Sequence, residues 1–144
     1  MTRRKKNLVG AMIRKRGATK LIDTKPELAL QEICKKELIE FELGFIQSYF
    51  GDDGKSYEFK PDVRISSNIL IEADGEYHDT AIQKRKTAWR DRSLIQMGYR
   101  VLHIPASLLV AEGVGDRKAY WPYVAMEIKR FIEESDLKSW TVIA

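Results

Sequence analysis

The chain has 144 residues, 44% of them apolar and 32% charged, a composition that suits one globular domain with a core of its own. The single cysteine, Cys34, excludes an internal disulfide framework, and with only two histidines the chain has no donors for a cysteine-rich structural zinc site. No apolar run approaches the roughly 20 residues of a membrane helix, and the basic start leads into no signal-peptide core, so the expectation is a cytoplasmic, reducing setting without a membrane partner.

The net charge of +4 is unevenly spread. Residues 1–20 hold Arg3, Arg4, Lys5, Lys6, Arg14, Lys15, Arg16 and Lys20 and no acid, so this arm carries +8 and the rest of the chain −4. A basic arm on a mildly acidic body suits a polyanionic partner, DNA above all. A solvated tail is the plainer alternative. Leu8, Val9, Met12 and Ile13 stand between the two basic clusters at near-helical spacing, so contact with nucleic acid could fold the arm into a short helix. The expected organisation is the arm, 1–20, and one domain, 21–144. Removing the arm should weaken DNA binding and flatten its salt dependence, because fewer phosphate contacts release fewer counterions.

The first helix should open at Thr24-Lys25-Pro26-Glu27, which has the form of a capping box with proline in the first turn. It is expected to run to about Glu42 and stop at Gly44. At about 100° per residue, Leu30, Cys34, Leu38 and Phe41 share one face, and Glu27 falls on that side too. Capping alone would account for Glu27; an inward-facing acid would account for it differently.

Phe45 to Phe50 reads as a strand, and Gly51-Asp52-Asp53-Gly54 as its hairpin loop. Tyr57 to Ile65 alternates, with Tyr57, Phe59, Val63 and Ile65 on one face and Glu58, Lys60, Asp62 and Arg64 on the other. Ser66-Ser67-Asn68 makes a turn. Ile69 to Tyr77 alternates again, with Glu72, Asp74 and Glu76 on the face of Leu70, and His78 following. If Ile65 faces Ile69, paired positions sum to 134, which sets Asp62 opposite Glu72 and Lys60 opposite Asp74. Opposed side chains lie roughly 5 Å apart, so two carboxylates there repel unless a cation sits between them.

A second helix is expected from about Ala81 to Met97, stopped by Gly98, with Ala88, Leu94 and Ile95 inward and Asp91 on the same side. An inward acid is costly unless paired. Lys84, Arg85, Lys86, Arg90 and Arg92 would form a basic outer face, either a solvated surface or a nucleic-acid contact. Tyr99 to Pro105 is a third apolar strand, and the strand, helix, strand order implies a crossover into one sheet. His103, inside that apolar strand, reads as structural. Glu112 to Lys118 is a loop. Tyr120-Trp121-Pro122-Tyr123 opens a last helix to about Glu134, with Val124, Ile128 and Phe131 as its stripe. The tail after Ser135 has no clear pattern. The fold class is α+β: a mixed sheet flanked by helices.

Hydrolysis of a phosphodiester needs a cation for the phosphoryl charge, an activated water and a proton for the leaving oxygen. Carboxylate oxygens suit Mg²⁺, and Asp62 and Glu72 could hold it. His78 could serve as acid or base, with a surface histidine as the plainer reading. Pro61-Asp62, nine residues, then Glu72-Ala73-Asp74 resembles the PD-(D/E)XK nuclease signature, with aspartate where the lysine belongs. The longer order resembles the very-short-patch-repair endonuclease superfamily and its Glu, Asp, His, Asp homing relatives. It runs from Glu27 at a helix start through Asp62 in a strand and Glu72-Ala73-Asp74-Gly75 to His78, then Asp91 in the next helix. The match spans roughly Pro26 to Ser107.

The resemblance implies a restriction-endonuclease-like fold and Mg²⁺-dependent cleavage of DNA, with Mn²⁺ as a substitute and no small-molecule cofactor. Asp62 and Glu72 would be the metal ligands, with Glu27, Asp74, His78 and Asp91 completing the catalytic set. The missing lysine would be replaced by His78, or by Lys84 or Lys86 reaching in. The structural zinc and second active-site histidine of the mismatch-repair enzyme have no counterpart here. One site per chain nicks one strand, so cutting both needs a homodimer or two visits. A non-catalytic nucleic-acid-binding module of the same fold, and a junction or flap nuclease, are the competing expectations.

Overall fold

The computed structural model describes residues 25–75, 80–111 and 113–144. The basic arm, Thr24 and the stretch with His78 lie outside them. Among the described residues, three α-helices and eight strands follow in the order α1 (Lys25–Lys36), β1 (Gln47–Phe50), β2 (Ser56–Phe59), β3 (Val63–Ile65), β4 (Ile69–Asp74), α2 (Ala81–Gln96), β5 (Arg100–Pro105), β6 (Val110–Ala111), β7 (Gly115–Asp116), α3 (Trp121–Glu133) and β8 (Ser139–Thr141). The main sheet has the order β3-β4-β5-β8. β3 and β4 are antiparallel, while β4 with β5 and β5 with β8 are parallel. The α+β class with a mixed sheet and flanking helices is therefore as expected, and α2 is the crossover between β4 and β5.

Both faces of the sheet are covered, which is why β5 is buried along nearly its whole length. On one face Ile69, Ile71, Leu102 and Ile104 pack against Leu30 and Ile33 of α1 and Val124 and Ile128 of α3. On the other, Leu70 and Val101 meet Leu94 of α2 together with Tyr49 and Phe59 of the β1–β2 hairpin. Tyr49 and Tyr57 stack at 5.7 Å, and the Trp89 ring stands edge-on to both. Gly51, in the hairpin turn, lies so close to Trp89 that a Cβ there would run into the indole, so glycine is what lets the hairpin seat on α2.

Several boundaries differ from expectation for physical reasons. α1 stops at Lys36, six residues early. The Leu38 N–H donates to Lys35 O and the Ile39 N–H to Cys34 O, with Leu38 at φ 59°. That is a Schellman ending, which usually falls on glycine; here leucine takes the left-handed position, at a cost of roughly 1–2 kcal/mol. Leu38 is consequently 90% exposed and off the core face. The following chain joins the sheet instead, through paired bonds between Glu42 and Arg64. The expected 57–65 strand is broken into β2 and β3 around Pro61, which has no N–H for a ladder. Among the described residues β4 ends at Asp74; Tyr77, the expected end, lies outside them. Ala88 is exposed, because α2 turns Asp91, Ser93 and Leu94 inward. The tail forms β8, held where Arg100 donates to Leu137 O and to Glu134 O at the end of α3.

Candidate metal centre

The β3–β4 ladder pairs Val63 with Ile71, Arg64 with Leu70 and Ile65 with Ile69. This is the 134 register read from the alternation. It reaches Asp62 through one further bond, from the Asp62 N–H to Ile71 O at 3.0 Å. Asp62 and Glu72 are thus neighbours across the strands, as expected; the ladder pairing does not extend to Lys60 and Asp74. The Ala73 N–H donates to Asp62 Oδ2 at 2.7 Å and fixes that carboxyl group. From the first turn of α1, Glu27 reaches the same group and shares a hydrogen bond with it. Burial, then the Glu27 charge, push Asp62 up to about 8, with Glu72 adding to the shift and the Ala73 N–H opposing it. A neighbouring protein cation would do the reverse.

On the β5 side of Glu72 and at the end of β4, the pattern inverts. His103 pairs in register with Glu72 and lies on the face of Glu72 and Asp74. Its Nε2 is 2.6 Å from Asp91 Oδ2, and its Nδ1 is 2.9 Å from Asp74 Oδ2 and 3.7 Å from Glu72 Oε1. The Nδ1 approach is close but poorly directed: neither Nδ1 nor Asp74 Oδ1 has a well-formed hydrogen bond among the described residues, although both atoms are buried. Burial is the largest single influence on His103 and opposes its charge, yet Asp74 and Asp91 together outweigh it and raise the imidazole to about 10. Arg90 donates to Glu72 Oε1 at 2.8 Å and to Asp91 Oδ1 at 3.0 Å, with its guanidinium 3.9 Å over the Phe59 ring. Burial disfavours that charge too, and Glu72 and Asp91 outweigh it.

Of the expected site residues, Glu27, Asp62 and Glu72 come together, and Glu72 links them to Asp74 and Asp91. Asp91 is buried on α2, as its helical phase required. His78 and the arm residues Arg3, Arg4, Lys5, Lys6, Arg14, Lys15 and Arg16 fall outside the described residues. Lys84 and Lys86 are exposed on α2, and Lys84 stands at the rim of a cleft of about 660 Å³ that also holds Asp74, Asp91 and His103. Arg90 is a correction. It was expected on a basic outer face, but its side chain is only 13% exposed, because Phe59 and two carboxylates draw it inward. His103 is the residue that sequence reasoning underrated. The available signal was its place in a central strand after a helix with an inward aspartate.

The donor chemistry fits a divalent cation in two places. Asp62 with Glu27 and Glu72 offers only oxygen, in a group whose mutual repulsion a cation would relieve. Glu72, Asp74 and His103 place one ligand atom each within 4.8 Å of one another. Comparison with family models, with curated proteins and with solved structures gives no match.

Proposed function

We propose that the protein is a Mg²⁺-dependent DNA endonuclease that nicks one strand per visit. The observation that carries this reading is Asp62: a buried carboxyl group pressed against Glu27, opposite Glu72, and held far above the usual carboxylate range. Burying mutually repelling acids without use is costly, and the resemblance of Pro61-Asp62 and Glu72-Ala73-Asp74 to a nuclease signature gives the cost a purpose. Asp62 and Glu72 would hold the ion, and Glu27 would bear on it through Asp62. Bound there, Mg²⁺ would supply neutralising charge at the phosphoryl oxygens and a more acidic water.

The chain's own residues do the positioning. The Ala73 N–H orients the Asp62 carboxyl group, and Arg90 holds Glu72 from the far side. Lys84 and Lys86, exposed on α2, would meet backbone phosphates, and the arm would add sequence-independent attraction to DNA. The test is nicking of supercoiled plasmid. Cleavage should require Mg²⁺ or Mn²⁺, stop with chelator and be lost in Asp62→Asn; cutting that persists in that variant would sink the assignment.

A non-catalytic DNA-binding module has one observation in its favour. At the position of the signature lysine stands Asp74, turned to His103 within an ion-paired cluster. Gel shifts without cleavage on plain, nicked, mismatched and branched duplexes would favour that reading.

A further inference from the structure

We infer that Glu72, Asp74 and His103 form a second metal site, of mixed nitrogen and oxygen donors, that takes a later transition-metal dication such as Co²⁺ or Zn²⁺ in preference to Mg²⁺. Four observations carry it. The three ligand atoms lie within 4.8 Å of one another. His103 is 5% exposed, and its Nδ1 has no well-formed hydrogen bond among the described residues while it faces the two carboxylates at 2.9 and 3.7 Å. Asp74 Oδ1 is a second buried atom in the same state. The other ring nitrogen, Nε2, is tied to Asp91 Oδ2 at 2.6 Å.

That last contact decides the chemistry. A histidine that donates Nε2–H to a carboxylate presents the Nδ1 lone pair, and a carboxylate behind the imidazole is the usual outer partner of a metal-bound histidine. Arg90 on Glu72 Oε1 is the matching outer partner for a carboxylate ligand. Metal–ligand bonds of about 2.0–2.2 Å set adjacent donor atoms roughly 3.0–3.5 Å apart, close to the 2.9 and 3.7 Å from His103 Nδ1 to the two carboxylates. Binding replaces the Nδ1 proton with the metal, so one proton is released and the positive charge between the carboxylates rises from one to two. Imidazole favours the later transition dications, Co²⁺ and Zn²⁺ among them, whereas Mg²⁺ and Mn²⁺ favour oxygen donors. The two groups share Glu72, but this one adds an imidazole donor and Asp74, which the oxygen-only group at Asp62 lacks, and it stands whether or not the protein cuts DNA.

The full-length chain is titrated with Co²⁺, and the visible ligand-field absorption is followed in a large excess of Mg²⁺. A band that saturates at one equivalent is expected. It should be lost in His103→Gln and in Asp74→Asn, persist in Asp62→Asn and in His78→Gln, and appear at about 10–100-fold higher Co²⁺ in Asp91→Asn, the usual cost of losing such an outer partner. Circular dichroism checks each variant's fold, and Asp74→Asn carries the test if His103→Gln does not fold. No band, a band that Mg²⁺ or Asp62→Asn abolishes, or a band that survives in Asp74→Asn overturns the inference. Because absorption is read rather than cleavage, a protein that never nicks plasmid can still pass, and one that nicks can still fail.

Discussion

Asp62 meets Glu27 and Glu72, while Asp74 and Asp91 meet His103 and Arg90. Both groups lie at one end of the same sheet, and both bury carboxyl groups, yet they are held in opposite ways. The first is acid against acid, and Asp62 answers by rising to about 8. The second is acid against protein cations, and His103 rises to about 10. Burial by itself therefore does not make an electrostatic demand; what matters is whether the fold has already supplied the opposite charge. Arg90 comes inward because the hairpin places Phe59 beneath it. An outside cation would relieve the first group, whereas in the second it has to displace a proton.

The comparison can be broken in order of expected effect. Asp62→Asn should lower Mg²⁺-dependent nicking by roughly a thousandfold, since the ion's charge stabilisation is worth several kcal/mol; plasmid nicking rates measure it. Arg90→Met should destabilise the fold by about 3–5 kcal/mol by taking the guanidinium from buried Glu72 and leaving Asp91 with His103 alone, read by denaturant unfolding. An unchanged midpoint would mean that His103 is cation enough for the second group.

Asp62→Asn should have the opposite sign in the metal-free protein. At pH 8 it should stabilise by roughly 1–3 kcal/mol, the scale of two carboxylates about 5 Å apart in a partly wet site. At pH 4 it should do little, because Asp62 is then neutral in the wild type as well. The sign follows from the raised value. Between the ordinary 3.8 and about 8 the folded state binds the extra proton, so stability is fullest below that window and falls as pH rises through it. His103 acts in the same direction at higher pH. Its contribution is complete below 6.5 and is lost as pH rises through about 10, and His103→Gln should remove that part of the slope in thermal melts. The smallest effect belongs to Lys84→Ala. It should weaken DNA binding a few-fold and reduce the salt slope by about one, with no change in unfolding.

Much of the first group was legible in the sequence. Strict alternation on both sides of a short turn allows one register, because a slip of one residue would turn every apolar side chain outward. That register set Asp62 beside Glu72, and helical phase turned Asp91 inward. Glu27 was visible as an acid at a helix start, but its contact with Asp62 was not, since nothing local fixes how α1 lies on the sheet.

The second group was hidden for a different reason. Arg90 lies beside Asp91 in a run of cations that reads as a solvated face, and Phe59, thirty-one residues earlier, and Glu72, eighteen residues earlier, turn it in. His103 sits in RVLHIP, a strand that looks apolar throughout; its partners come from β4 and α2. α1 ends at Leu38 without a glycine to mark it, and β8 exists because Arg100 and β5 hold the tail. The sequence by itself determined what depends on near neighbours: the strand faces, the β3–β4 register and the inward acids of helix and strand. The tertiary structure decided which acids meet a protein cation and which meet another acid, because charge pairing depends on distances between elements that no local pattern encodes.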